Sequence, residues 1–258
     1  MTAKKATIAA EHNDTENVEM DSVSAGGVSG TGGETKVKVA SDAGVSVGHG
    51  STITTAEETA IRAENVTEKA WRDSSSKKNV SSIGAALASG NGVVNETSIT
   101  HVTTVDLDAV TIKANASDLT VEEKAAGKTL YDKNAIAIDA ASHVISKDRS
   151  TLSTGAAVGA AHVKNTNSVA ATTTAHVREG SRLLAGETEK AKEKDKTASY
   201  SGATQSPYSS VYKGGSIAVG TKNDAELASD TLVDVYGAAG YAGSENRVTY
   251  TGLANTSF

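Results

Sequence analysis

Cysteine is absent from the 258 residues, which excludes a disulfide framework, thiolate metal sites and cysteine nucleophiles. Aromatic residues are scarce: one Trp (Trp71), one Phe (Phe258), and 3% of the chain overall. Aromatic side chains normally supply much of the area that a compact core buries, so an ordinary globular interior is disfavoured. Proline occurs once, at Pro207. No apolar run reaches the roughly 20 residues that a membrane-spanning helix needs. The opening stretch MTAKKATIAA carries two lysines but no apolar h-region, so it does not read as a signal peptide. An export signal would then lie outside this chain, and the chain would be a fragment. The net charge of −6 leaves no basic stripe. With so few aromatics to stack bases, nucleic-acid binding is not expected.

What is present is small. The apolar fraction of 38% is mostly Ala and Val, which can fill only a thin interior. A solenoid has such an interior, because each coil needs only to cover its neighbours. Val and Thr favour strands through their branched Cβ. The 24 Gly and the many Asn suit tight corners. Many short strands joined by many corners is the expected pattern. A poorly ordered spacer is the alternative that composition leaves open.

Residues 1–33 are polar and then Gly/Ser-rich, and read as a weakly ordered lead-in or a degenerate coil. From residue 34 to 258 repeat texture prevails. Lys36 to Ala40 and Gly44 to Gly48 alternate with period two, as half-buried strands do. Residues 55–73 fit either a helix face (Ala56, Ala60, Ala63, Thr67, Ala70) or an alternating strand (Thr59 to Ala63). Val105, Leu107, Ala109 and Ile112 are candidate inward residues, and Ala135 to Ala140 alternates again. Two charged segments break the pattern, near 115–134 and 186–213. They read as insertions projecting from the stack, the first with room for a short helix starting near Ser117 or Asp118.

The chain also repeats itself. Residues 84–103 read GAALASGNGVVNETSITHVT and residues 155–177 read GAAVGAAHVKNTNSVAATTTAHV. The separation is 71 residues between Gly84 and Gly155 and 70 between Asn95 and Asn165, so one residue of slip is needed. A weaker copy starts at Gly214, with Asn223 in the turn position. This is the signature of a repeat architecture. The Gly-Ala-Ala strand is expected to point small residues inward. Asn95 and Asn165 are expected at corners, followed by Thr-rich strands with Ile99 or Val169 inward.

These two segments resemble the repeats of very large bacterial surface proteins, the haemagglutinin-like adhesins and autotransporter passenger regions of anaerobes. Thr174-Ala175-His176-Val177-Arg178-Glu179-Gly180-Ser181 matches the closing phrase of that family's repeat. The resemblance covers roughly residues 80–185. It implies an all-β fold, a right-handed parallel β-helix with protruding charged insertions, on the outside of a bacterial cell. It implies adhesion to host-cell or bacterial-surface proteins or glycans, no catalytic residue and no cofactor. It also implies end-to-end continuation with further repeats of a longer chain.

Direct signs of chemistry are weak. The histidines His12, His49, His101, His143, His162 and His176 show no metal-ligand spacing, and His101 and His176 are expected to face solvent. Asp106 and Asp108 share a strand face, an arrangement that Ca²⁺ binding or acid–base work would use, but a solvated face is the simpler reading. No phosphate-cradling GxxxxGK[ST] loop occurs. Tyr200, Tyr208 and Tyr212 form a candidate contact patch on a protruding loop, because Tyr gives large area at low entropic cost. Two other functions remain in view: a polysaccharide-degrading enzyme on a similar scaffold, and the disordered spacer.

Overall fold

The computed structural model describes residues 1–69, 80–115, 120–128, 133–186, 188–189, 211–212 and 215–258. In chain order the elements are β1 (Thr2–Ala3), β2 (Ala6–Glu16), β3 (Met20–Val47), β4 (Thr52–Thr55), β5 (Thr59–Lys69), β6 (Val80–Leu107) and β7 (Thr111–Ala114). They continue with α1 (Val121–Ala125), β8 (Asn134–Val177), β9 (Arg182–Ala185), β10 (Thr188–Glu189), β11 (Val211–Tyr212), β12 (Ser216–Tyr236) and β13 (Ala239–Ser257). The protein is all-β, and its strands pair in parallel except for the short antiparallel β10–β11 contact.

The long strands form four passes of chain laid one on another: β2–β3, β5–β6, β8, and β12–β13. Their register is regular. Met20 lies beside Val80 and Val80 beside Ser150; at the far end Val47 lies beside Leu107 and Leu107 beside Val177. The fourth pass continues the ladder, with Ile217 beside Ile136 and Ser257 beside His176.

Each pass goes out and comes back. The pairing skips Gly27, Leu87 and Ala157, and leaves Gly237 and Ala238 unpaired in the fourth pass. At this bend the chain reverses, so the two arms of one pass face each other. Contacts across the interior record this: Asn65 Nδ2 donates to Thr103 Oγ1 (2.9 Å), Asn167 Nδ2 to Ser146 Oγ (2.9 Å) and Ser150 Oγ to Asn165 Oδ1 (2.6 Å). The bend is tight at Gly237, where a side chain would run into the carbonyl oxygen of Ala156. Away from the second sheet the interior is filled mostly by Ala, Val, Ser, Thr and Asn.

Opposite the bend, β1, β4, β7 and β9 stack into a second parallel sheet. The return arms of the first three passes reach it through a corner, and the corner residue is left-handed each time: Gly50 (φ 75°), Ala109 (φ 46°) and Gly180 (φ 84°). Here the interior is widest and most apolar, with Ile53, Ile61, Leu107, Ile112, Ile136 and Ile138 in one cluster. Burying such side chains is worth about 1.5–3 kcal/mol each.

Several expectations hold. Val37, Val39, Val45 and Val47 point inward from their alternating runs, and Val105, Leu107 and Ile112 are buried; Ala109, expected inward with them, is only half-buried at a corner, and Val110 is buried in its place. Residues 59–69 are strand, so Thr59 to Ala63 follows its alternation and not the helical spacing. Residues 1–33 contain β1, β2 and the first part of β3. The first charged segment does hold a helix, α1, but its N-cap is Thr120, which forms a capping box with Glu123. Ser117 and Asp118 lie outside the described residues, as does most of 186–213.

Other expectations are corrected. Asn95 and Asn165 are not at corners. They lie mid-strand, pointing inward, 1% and 0% exposed. The corner role fails because their parity matches that of Val93, Ile99, Val163 and Val169, which are buried too. The one-residue slip is also unnecessary: Gly84 lies beside Thr154 and Gly155 beside Ala85, in the same register as Asn95 beside Asn165. The fourth-pass partner of that ladder is Asn246, not Asn223, which lies beside Ser142. The Gly-Ala-Ala segment leads into the bend, where Leu87 and Val158 point to solvent.

Candidate functional site

Two kinds of feature stand out above the regular ladder: polar layers inside the stack and an apolar row along its bend. From the wide end toward the bend the interior alternates apolar clusters with polar layers. The middle cluster is Val37, Val39, Ile99, Val144 and Val169. The cluster nearer the bend is Val80, Val93, Leu152, Ala161 and Val163.

The first polar layer is centred on His101. Period-two parity fixes its direction, since His101 shares a side with Ile99, Val105 and Leu107. It is therefore buried, 1% exposed, which corrects the solvent-facing expectation. One ring nitrogen meets Thr67 Oγ1 (2.7 Å) and the other Ser142 Oγ (2.8 Å). Both hydroxyls can donate or accept, so the neutral ring is satisfied in either tautomer. Burial, helped by the nearby His12, pulls the pKa of His101 down from 6.5 to about 4, with Asp14 opposing. At neutral pH the ring is uncharged.

The second polar layer holds an ion pair. Lys69, the last residue of β5, is fully buried and its ammonium contacts Asp148 Oδ1. Thr97 Oγ1 accepts from Lys69 and donates to Asp148 Oδ1 (3.2 Å), and Asn95 Nδ2 donates to the same oxygen (3.1 Å). Thr35 joins through Asn95 Oδ1 (2.7 Å). Burying a charged pair is costly unless its geometry and surrounding hydrogen bonds compensate. Here three neighbours converge on one carboxylate oxygen, while Asp148 Oδ2 is buried without a partner among the described residues.

On the outside, Asp106 is engaged by Arg178 through Nε (2.6 Å) and Nη2 (2.7 Å). The guanidinium lowers the carboxyl pKa, with burial opposing and smaller help from His176. The bidentate pairing occupies one member of the Asp106/Asp108 pair. His176 shares a hydrogen bond with Ser257. Among the described residues no group of three or more His, Asp or Glu could hold a metal ion, and no helix is long and apolar enough to cross a membrane. The surface has shallow depressions, one lined by Asp139, Gly220 and Lys222, another by Lys5, Glu58 and Arg62. Burial raises the pKa of Asp139 against the pull of Arg62.

The bend carries the apolar row. Val23 (75% exposed), Val28, Leu87, Val158 and Ile83 lie there in the first three passes, and Tyr236 and Tyr241 flank the bend in the fourth. Val23 is beside Ile83, and Val28, Ala88 and Val158 are successive ladder neighbours. Of the proposed tyrosine patch, Tyr200 and Tyr208 lie outside the described residues, and Tyr212 is placed only as a residue of β11. Sequence reading passed over the bend row, although Leu87 and Val158 stood in both copies of the repeat.

No protein-family model, no curated protein and no solved structure matches the chain.

Proposed function

We propose that this chain is a non-enzymatic adhesive module of a bacterial cell-surface protein, built as a right-handed parallel β-helix. The observation that supports it best is how the reactive side chains are used. His101, Lys69 and Asp148 are enclosed within the stack, and Asp106 is held by Arg178. What the protein offers to its surroundings is the apolar edge of the bend, repeated pass after pass. Tyr and aliphatic side chains on a rigid edge suit contact with proteins or with the apolar faces of sugars on host or neighbouring bacterial cells. Many weak contacts along a longer array would add by avidity.

The test is adhesion of beads coated with the chain to epithelial and bacterial cells. Replacing Leu87 and Val158 by Asp should abolish the attachment while leaving the circular dichroism spectrum unchanged. Attachment no better than that of albumin-coated beads would refute the reading. Shortening of a pectin-like or host glycan on incubation would replace it with the polysaccharide-degrading alternative.

A further inference from the structure

We propose that Lys69 and Asp148 are the two ends of an intramolecular amide bond that staples the second pass to the third. The two side chains come from neighbouring passes: Lys69 lies beside Ser146, so Asp148 is two residues along on the same inward side. Both are excluded from water and in contact. Amide formation starts from a neutral amine and a neutral acid, and one proton passing from Nζ to the carboxylate it contacts supplies that pair.

The surrounding groups fit the next step. The Nζ lone pair attacks Cγ of Asp148, and the new C–N bond places negative charge on Oδ1. Asn95 Nδ2 and Thr97 Oγ1 already donate to that oxygen (3.1 and 3.2 Å), the arrangement that stabilises a developing oxyanion. The C–Oδ2 bond then breaks, and Oδ2 leaves as water with one proton from the acid and one from Nζ. Oδ2 is the oxygen that is buried with no partner among the described residues. Condensation removes this orphan, while Oδ1 remains as the amide oxygen with both donors intact. No oxidant or co-reactant is required.

Intact-mass spectrometry of the purified, folded chain tests the proposal. The expected mass is one water below the sequence mass, and digestion should release a branched peptide joining the segments that carry Lys69 and Asp148. Lys69→Arg keeps the charge but cannot form this amide under these conditions, and should restore the full sequence mass. Full mass in the wild-type chain with a linear Lys69 peptide would overturn the staple and leave a plain ion pair. A deficit that persists in Lys69→Arg would overturn it as well, because the water would then have been lost elsewhere.

Discussion

The third and fourth passes have the same register but different interiors. Asn165 and Val169, on the return arm of β8, are 0% and 1% exposed. Their ladder neighbours in β13, Asn246 and Tyr250, are exposed, Tyr250 at 43%. Local sequence does not explain the difference, since β13 alternates as β8 does. The third pass is covered by β5 and β6 on one side and by β12 and β13 on the other, whereas the fourth is described with one neighbour. In this architecture burial is conferred by the adjacent pass, and stability is a sum of pass-to-pass interfaces.

If that is right, truncation to alanine at ladder-neighbour positions should weigh differently in the two passes, by more than the one methylene that separates Ile from Val. Ile138 is fully buried in the wide-end cluster, and Val219 is its partly buried neighbour in β12. Ile138→Ala should cost about 2–5 kcal/mol. Val219→Ala should cost roughly 1 kcal/mol or less, because part of its surface is already wet. Chemical denaturation of both variants measures the gap, and equal losses would break the comparison. The asparagine ladder gives a second version. Asn165→Ala strands Ser150 Oγ and the Asp230 carbonyl and should cost about 1–3 kcal/mol. Asn246→Ala, at the exposed end, should stay within about 0.5 kcal/mol.

A smaller effect is expected from pH. His101 has its pKa lowered in the folded state, from 6.5 to about 4. Between these values the unfolded chain holds a proton that the folded chain does not, so stability rises with pH there and is lost on acidification from 6.5 toward 4. Water reaches the first pass at His12, which is exposed, and screens this layer. The expected total is therefore roughly 1 kcal/mol and not the full linkage value. Melting temperatures at neutral and mildly acidic pH should differ in wild type and converge in His101→Gln.

How much of this could be read beforehand depended on parity. Strand existence was legible wherever β-branched residues alternated with charge, as in Lys36 to Ala40, because period two is local. The inward direction of His101 and Asn95 was legible in principle. Both sit at even spacings from Ile99, Val105 and Leu107, and only the assumption that polar side chains mark surfaces or corners hid it. That assumption fails in a thin interior, where ladder neighbours satisfy one another's hydrogen bonds. The reversal was legible only in part. Glycine stands at it in the first and fourth passes, Gly27 and Gly237, but Leu87 and Ala157 stand there in the second and third. Lys69 meeting Asp148 was beyond reach as well, because register between passes separated by an insertion is not a local property.

The corners provide the finest test, because three passes set a left-handed residue two positions before the second sheet with unlike residues there, and the second corner, 108–110, is one residue shorter than 48–51 and 178–181. Gly50 and Gly180 occupy the left-handed corner without a Cβ, whereas the second pass puts Ala109 there at φ 46°. A Cβ in that conformation costs roughly 1–2 kcal/mol, partly offset because glycine has more freedom to lose on folding. Ala109→Gly should therefore stabilise the protein by about 0.5–1 kcal/mol, seen as a higher denaturation midpoint. The mirror change, Gly180→Ala, should destabilise by a similar amount, since the new Cβ would sit 3.3 Å from that of Ala109 in addition to the backbone strain. A loss of stability in Ala109→Gly would mean that the shorter second corner is held by its side chain.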